Sequence, residues 1–135
     1  MTVFELIDKA NKCEIDNRKV AIVENEYGPI YNDFAKRLIS VELDDGMLYD
    51  FYGDKWQVRV MSPLEMIGSK DFIDEAYEDK ELIPFISWGD LDILCYDTEE
   101  DEWVDLETES MEIVQSEVDF IDVAKTLHDG LPDIK

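Results

Sequence analysis

Positive charge is what this sequence has least of. Twelve Lys and Arg stand against 35 Asp and Glu, and the formal net charge is −23 with histidine neutral. A surface this negative is repelled by phosphate backbones and anionic membrane faces, and no basic stretch with interleaved aromatics is present to hold nucleic acid. Histidine is nearly missing too. His128 is the only one; it falls in the last turn of a predicted helix and reads as a surface or C-terminal capping residue. A Ser–His–Asp or Cys–His arrangement needs that imidazole beside a nucleophile, and no nucleophile-elbow motif accompanies it. One histidine and two scattered cysteines do not offer zinc-ligand spacing. Cys13 and Cys95 form no CxxC; each is flanked like a packing residue, and a disulfide between them stays open. Six glycines yield neither GxGxxG nor GxxxxGKS/T, so no phosphate-cradling loop is predicted. No apolar run approaches the roughly 18 residues that span a bilayer. No catalytic centre, metal site or cofactor follows from these residues.

Apolar residues, by contrast, are plentiful. They make up 45% of the 135 residues and include three Trp, six Tyr and six Phe, enough to form a core rather than a disordered acidic chain. The length fits one domain, residues 1–135, with no low-complexity linker or repeat to divide it. Met1-Thr2-Val3-Phe4-Glu5 runs straight into an amphipathic pattern without a basic-then-apolar leader, which predicts a cytoplasmic, reduced protein. Repulsion among the carboxylates predicts that salt stabilises the fold. Charge also divides unevenly: from Glu81 onward the only basic residues are Lys125 and Lys135.

Periodicity changes along the chain. Val3, Leu6, Ile7 and Ala10 have helical spacing, and a second helix is predicted from about Lys19 to Tyr27, closed by Gly28 as a left-handed cap. After Pro29, the residues Ile30, Phe34, Leu38 and Val41 trace one face of a third helix. Leu48 to Tyr52 and Lys55 to Val60 then read as a hairpin around a two-residue Gly53-Asp54 turn, with Trp56, Val58 and Val60 on one side. Ser62-Pro63-Leu64-Glu65 is a capping box opening a short helix that stops by Gly68. Another helix is expected from Asp71 to about Lys80. Leu82 to Ile86 holds a proline and reads as an edge strand or the start of a strand. Leu91 to Tyr96 reads as a buried central strand, Trp103 to Leu106 as its partner across an acidic turn, and Met111 to Val114 as a last strand. Ser116 with Asp119 is expected to open a closing helix, with Phe120, Ile121, Ala124 and Leu127 inward and Gly130 and Pro132 at its end. Helices first, then a meander of about five to six mostly antiparallel strands, then a helix: the expected class is α+β.

Two local features stand out as candidate partner surfaces. The run Asp97-Thr98-Glu99-Glu100-Asp101-Glu102 fails as an EF-hand, because Glu102 replaces the required glycine and Thr108 stands where a bidentate Glu belongs. It reads as a solvated turn, a docking element for a basic partner, or a weak divalent site. Trp88-Gly89-Asp90-Leu91-Asp92 reads as a β-turn with the indole packed below, or as a partner-facing corner anchored by Trp88. Acids are so abundant that no pair of them singles out glycosidase chemistry, which leaves a carboxylate-dependent hydrolase as a minor alternative.

Leu82-Ile83-Pro84-Phe85, then Gly89-Asp90, then Asp92-Ile93-Leu94-Cys95-Tyr96-Asp97 resembles the core signature of the SUKH superfamily. Ile22-Val23-Glu24 through Tyr27-Gly28-Pro29-Ile30 to Phe34 and Leu38 looks like its paired N-terminal helices. Val60-Met61-Ser62-Pro63-Leu64-Glu65 looks like its strand and "Leu-Glu-Glu" element, and Ser116 to Leu127 is similar to its closing helix. The likeness spans roughly Ile15 to Gly130; the Asn-Gly common after the N-terminal helices is replaced near that place by Asp44-Asp45-Gly46. The resemblance implies a non-catalytic α+β domain. Bacterial members act as immunity proteins that neutralise toxins, often nucleases, and fungal relatives are cell-wall synthesis regulators acting as scaffolds. The expected function is therefore neutralisation of a basic, nuclease-type toxin by a monomer or weak dimer, with a scaffold module of the same fold as the alternative. The expected interface comprises Glu99, Glu100, Asp101 and Glu102 with Trp88, Asp90 and Asp92, extended by Asp44 and Asp45. The acids steer and Trp88 anchors.

Overall fold

The computed structural model describes residues 3–43, 47–48, 58–76, 81–88, 92–107, 112–120 and 122–123. Strands β1 (Met47–Leu48), β2 (Val58–Val60), β3 (Leu82–Trp88), β4 (Asp92–Asp97), β5 (Glu102–Glu107) and β6 (Glu112–Glu117) each pair with the next along the chain, forming a six-stranded antiparallel meander. Helices α1 (Val3–Lys12), α2 (Asn17–Tyr27) and α3 (Asp33–Ser40) precede it, and α4 (Pro63–Gly68) and α5 (Lys70–Ala76) lie between β2 and β3. Helical backbone resumes at Phe120 and at residues 122–123. The fold is α+β, as the patterning predicts.

Strand alternation sorts the core into two faces. On one face Ile83, Phe85, Ile86, Leu94, Tyr96 and Trp103 meet the apolar stripes of the first three helices, among them Leu6, Ala10, Val20, Val23, Leu38 and Ile39, together with Phe120 and Val123. On the other, Leu82, Ile93, Cys95, Val104 and Leu106 pack with Ile73 of α5. Burial on both faces explains why β4 is apolar without interruption from Ile93 to Tyr96. A bulge between Pro84 and Ile86 sets Ile86 opposite Leu94 while Pro84 faces Cys95, so Phe85 and Ile86 both reach the helical side.

Several boundaries differ from the sequence reading, each for a local reason. β3 is not an edge strand, because β2 and β4 flank it. β2, however, covers only Ile86 to Trp88, so Pro84 sits where no ladder bond is required of its missing N–H. α3 begins at Asp33 rather than after Pro29, because the Asn32 side chain accepts from the Ala35 N–H at 2.9 Å and acts as N-cap. Ile30 is buried just outside the helix, its N–H donating to Glu24 Oε2. Gly28 does have positive φ (92°), but ψ is 176°, an extended mirror-image conformation that only glycine adopts readily. β6 runs on to Glu117, so Ser116 is a strand residue opposite Val104 and not a helix cap.

The Gly53-Asp54 turn, Asp44, Asp45, Asp90, His128 and the end of the closing helix lie outside the described residues. A two-residue turn with an unbroken ladder places Leu48 opposite Arg59; the observed register places it opposite Val58, one residue away.

The capping box is as predicted: Ser62 Oγ accepts from the Glu65 N–H, and Glu65 Oε1 accepts from the Ser62 N–H. Glu65 also receives both arms of the Arg59 guanidinium, one at 2.7 Å, tying β2 to α4. Arg59, more than the cap bond, holds the Glu65 carboxyl below its usual range. A depressed carboxyl contributes stability that is present above the unfolded pKa, near 4.3, and lost as pH falls below it. Glu65→Gln keeps the cap but loses the charge. Thermal unfolding is expected to show the variant less stable at pH 7, with the gap closing as pH falls through the depressed folded value.

Candidate functional site

The β4–β5 turn is built by its own acids. Asp97 and Glu102 pair across the strand ends, and residues 98–101 close the loop. Asp97 is fully buried, and its Oδ1 accepts the N–H of Glu99 at 3.0 Å and of Glu100 at 3.2 Å, the Asx-type cap that short acidic side chains provide. Asp101 takes a left-handed conformation (φ 52°), which aspartate tolerates better than a β-branched residue. Its Oδ1 accepts from the Tyr96 hydroxyl at 2.6 Å and from Asn32 Nδ2 at 2.9 Å. One carboxylate thus ties the turn to β4 and to the start of α3.

Beside this turn lies a groove of about 340 Å3, lined by Ile7 and Asn11 of α1, Asn32 and Phe34 at the start of α3, Trp103 of β5, and Val118, Asp119 and Phe120. Trp103 is its deepest aromatic. Around it sit Tyr96 (centroids 5.0 Å), Phe85 (5.1 Å), Phe120 (5.0 Å) and Phe34 (6.1 Å), the last three edge to face, the arrangement aromatic quadrupoles favour.

The electrostatics around the turn are one-sided. Residues 1–40 hold seven acids and six bases, a net −1, while residues 41–135 hold 28 acids and six bases, a net −22. The nearly neutral part contains the helices α1 to α3; the strands β1 to β6 themselves hold seven acids and one base, and the rest of the negative charge lies in the segments between and after them. The ion pairs Lys12–Asp8, Lys19–Glu42 and Arg59–Glu65 lie away from the β4–β5 turn, and among the described residues none involves Glu99 or Glu100. Glu99 and Glu100 are exposed, and Glu102 is half-buried.

The residues singled out from sequence divide into two groups. Glu99 to Glu102 occupy one end of the sheet. Trp88 ends β3 opposite Val58, and Asp92 opens β4 opposite Glu107 at the other end, five residues or about 17 Å along the strand. The sheet therefore does not bring the Trp88 corner beside the acidic turn. The aromatics next to that turn are Tyr96 and Trp103, which pair across the ladder; the sequence reading treated both only as strand residues, and their positions directly before and after the acidic run were the available signal.

Neither thiol is bridged: Cys13 is half-exposed and Cys95 buried. No cluster of three or more His, Cys, Asp or Glu among the described residues forms a metal-holding group, and no described helix is long and apolar enough to cross a membrane. Burial pushes the Cys95 thiol up, with the Asp105 charge adding to it. Burial also raises the Tyr96 phenol, reinforced by its hydrogen bond to Asp101.

Both groups are neutral when folded and ionise more readily unfolded, so their contribution is complete below the unfolded values, near 8.5 and 10, and is lost as pH rises past them. Chemical denaturation is expected to show stability falling from pH 8 to pH 11. Tyr96→Phe is expected to cost about 0.5–1.5 kcal/mol at pH 7 and to shallow that fall above pH 10. An equally steep alkaline loss in the variant contradicts the assignment.

Compared with protein-family models, with curated proteins and with solved structures, the chain matches none.

Proposed function

We propose that this chain is a non-catalytic binding protein that occupies the cationic surface of a partner, in the role of an immunity protein neutralising a basic, nuclease-type toxin. The observation that carries the reading is the β4–β5 turn. Exposed Glu99 and Glu100 stand on a backbone fixed by Asp97 and Asp101, with no ion pair to any described residue. A preorganised acidic surface binds without first ordering itself. It also speeds encounter with a cationic partner by roughly 10 to 1,000-fold. Nuclease domains hold phosphate backbones with Lys and Arg, and a rigid row of carboxylates is a physical substitute for those phosphates. The SUKH resemblance, with its toxin-neutralising bacterial members, supports the same role.

The test is a growth-protection assay with the basic toxin domain encoded beside this gene, coupled to stopped-flow association. Glu99→Lys, Glu100→Lys and Glu102→Lys are combined; Asp101 is left in place because it holds the turn. The triple variant is expected to keep its melting temperature, lose tenfold or more in association rate at low ionic strength, and lose protection. An unchanged association rate sinks this surface as the interface. A neighbourhood without a secreted toxin favours a scaffold role.

A further inference from the structure

Resting on that reading, and deepening it, we infer that the groove beside the acidic turn is an anchor pocket for one arginine side chain of the basic partner. The groove is small, near the lower end of the roughly 300–1,000 Å3 typical of ligand clefts, and sized for a single long side chain rather than a helix. Its walls are Ile7, half-buried Phe34 and Val118, which is 66% exposed at the rim, over a floor of buried Trp103 and Phe120; Phe34 is the lining ring open to a guest. Its described polar groups are the amides of Asn11 and Asn32 and one carboxylate. Asp119 is an exposed carboxylate on the lining. Asn32, also on the lining, directs its amide to Asp101, which places a second carboxylate immediately behind the rim. Glu117 pairs with Trp103 across the ladder and is exposed next to them. Among the described residues no Lys or Arg lines the groove.

This combination selects among side chains. An apolar guest satisfies the walls but leaves the rim acids unanswered. A lysine answers the charge, yet its compact, strongly hydrated ammonium gains little from a ring. Arginine has a three-carbon stem to lie along Ile7 and Val118. Its flat, weakly hydrated guanidinium stacks on aromatic rings and meets a carboxylate with two parallel bonds. Desolvated arginines of this sort recur among the residues that dominate interface energies. The exposed acids of the turn then draw the partner in, and the groove holds it.

The test uses the full chain with hexa-arginine and hexa-lysine peptides, followed by calorimetry and amide chemical shifts at 20 and 150 mM salt. Asn11→Phe is exposed, charge-neutral and narrows the groove; its melting temperature confirms folding. The inference expects hexa-arginine to bind at least tenfold more tightly than hexa-lysine at 150 mM salt, with shifts centred on Phe34, Trp103 and Asp119. Asn11→Phe is expected to reduce hexa-arginine to the hexa-lysine level, whereas Glu99→Lys with Glu100→Lys weakens both peptides. If Asn11→Phe leaves hexa-arginine binding unchanged, the pocket is refuted and the acidic-surface reading survives. If neither peptide binds even at 20 mM salt, both fall.

Discussion

Like charges about 6 Å apart repel by roughly 0.7 kcal/mol in water, and by several times that against the wall of a protein. A stretch from residue 41 to 135 with a net charge of −22 therefore works against its own compaction, and every acid it keeps must be solvated, bonded or offset. The central strands offset it by burial on both faces. Ile93, Leu94, Cys95 and Tyr96 of β4 and Trp103, Val104 and Leu106 of β5 are all buried, at about 1.5–3 kcal/mol for each large side chain. Buried Asp97 and exposed Asp101 are recruited as hydrogen-bond acceptors. Asp97 closes the turn, and Asp101 joins the turn to Tyr96 and Asn32. The same bonds that make the charge tolerable also fix where it points.

That economy links stability to recognition. Trp103 packs among Phe34, Phe85, Tyr96 and Phe120, fastening the helical layer to the sheet directly beneath the acidic turn. The cluster leaves a groove open at the rim, where the nearly neutral helices meet the sheet beside exposed Glu99 and Glu100. A cationic partner approaching the turn arrives beside apolar walls, so steering and desolvated anchoring fall on adjacent surfaces. The other end of the sheet, with Asp92 and Glu107, is acidic as well but has no described aromatic groove next to it.

Much of the fold was legible because its signals are local. The capping box at Ser62 to Glu65, the helical spacing of Leu6 and Ala10, and the unbroken apolar run of β4 each declare an element through nearby residues. What the sequence hid was decided by contacts between distant segments. Pro84 signals an edge, yet β2 ends before reaching it, so an interior strand carries a proline without losing a bond. Ser116 has the chemistry of a helix cap, but pairing with Val104 keeps it in a strand. The acidic run was visible as charge. Its partition into exposed Glu99 and Glu100 and structural Asp97 and Asp101 was not, because Tyr96 and Asn32 had first to be brought beside it. Nor does composition reveal that a meander puts consecutive turns at opposite ends of the sheet, which parts Trp88 from the turn it seemed to accompany.

The claim at the centre is that the acidic turn is a preorganised surface, held rigid by its own carboxylates despite their repulsion. Residue-resolved amide hydrogen exchange reads this directly, at 20 and 500 mM salt. The account predicts that the Glu99 and Glu100 amides, bonded to Asp97, exchange at least tenfold more slowly than unstructured backbone at both salt concentrations. Exchange at the unstructured rate in low salt, slowing only when salt screens the charges, contradicts it.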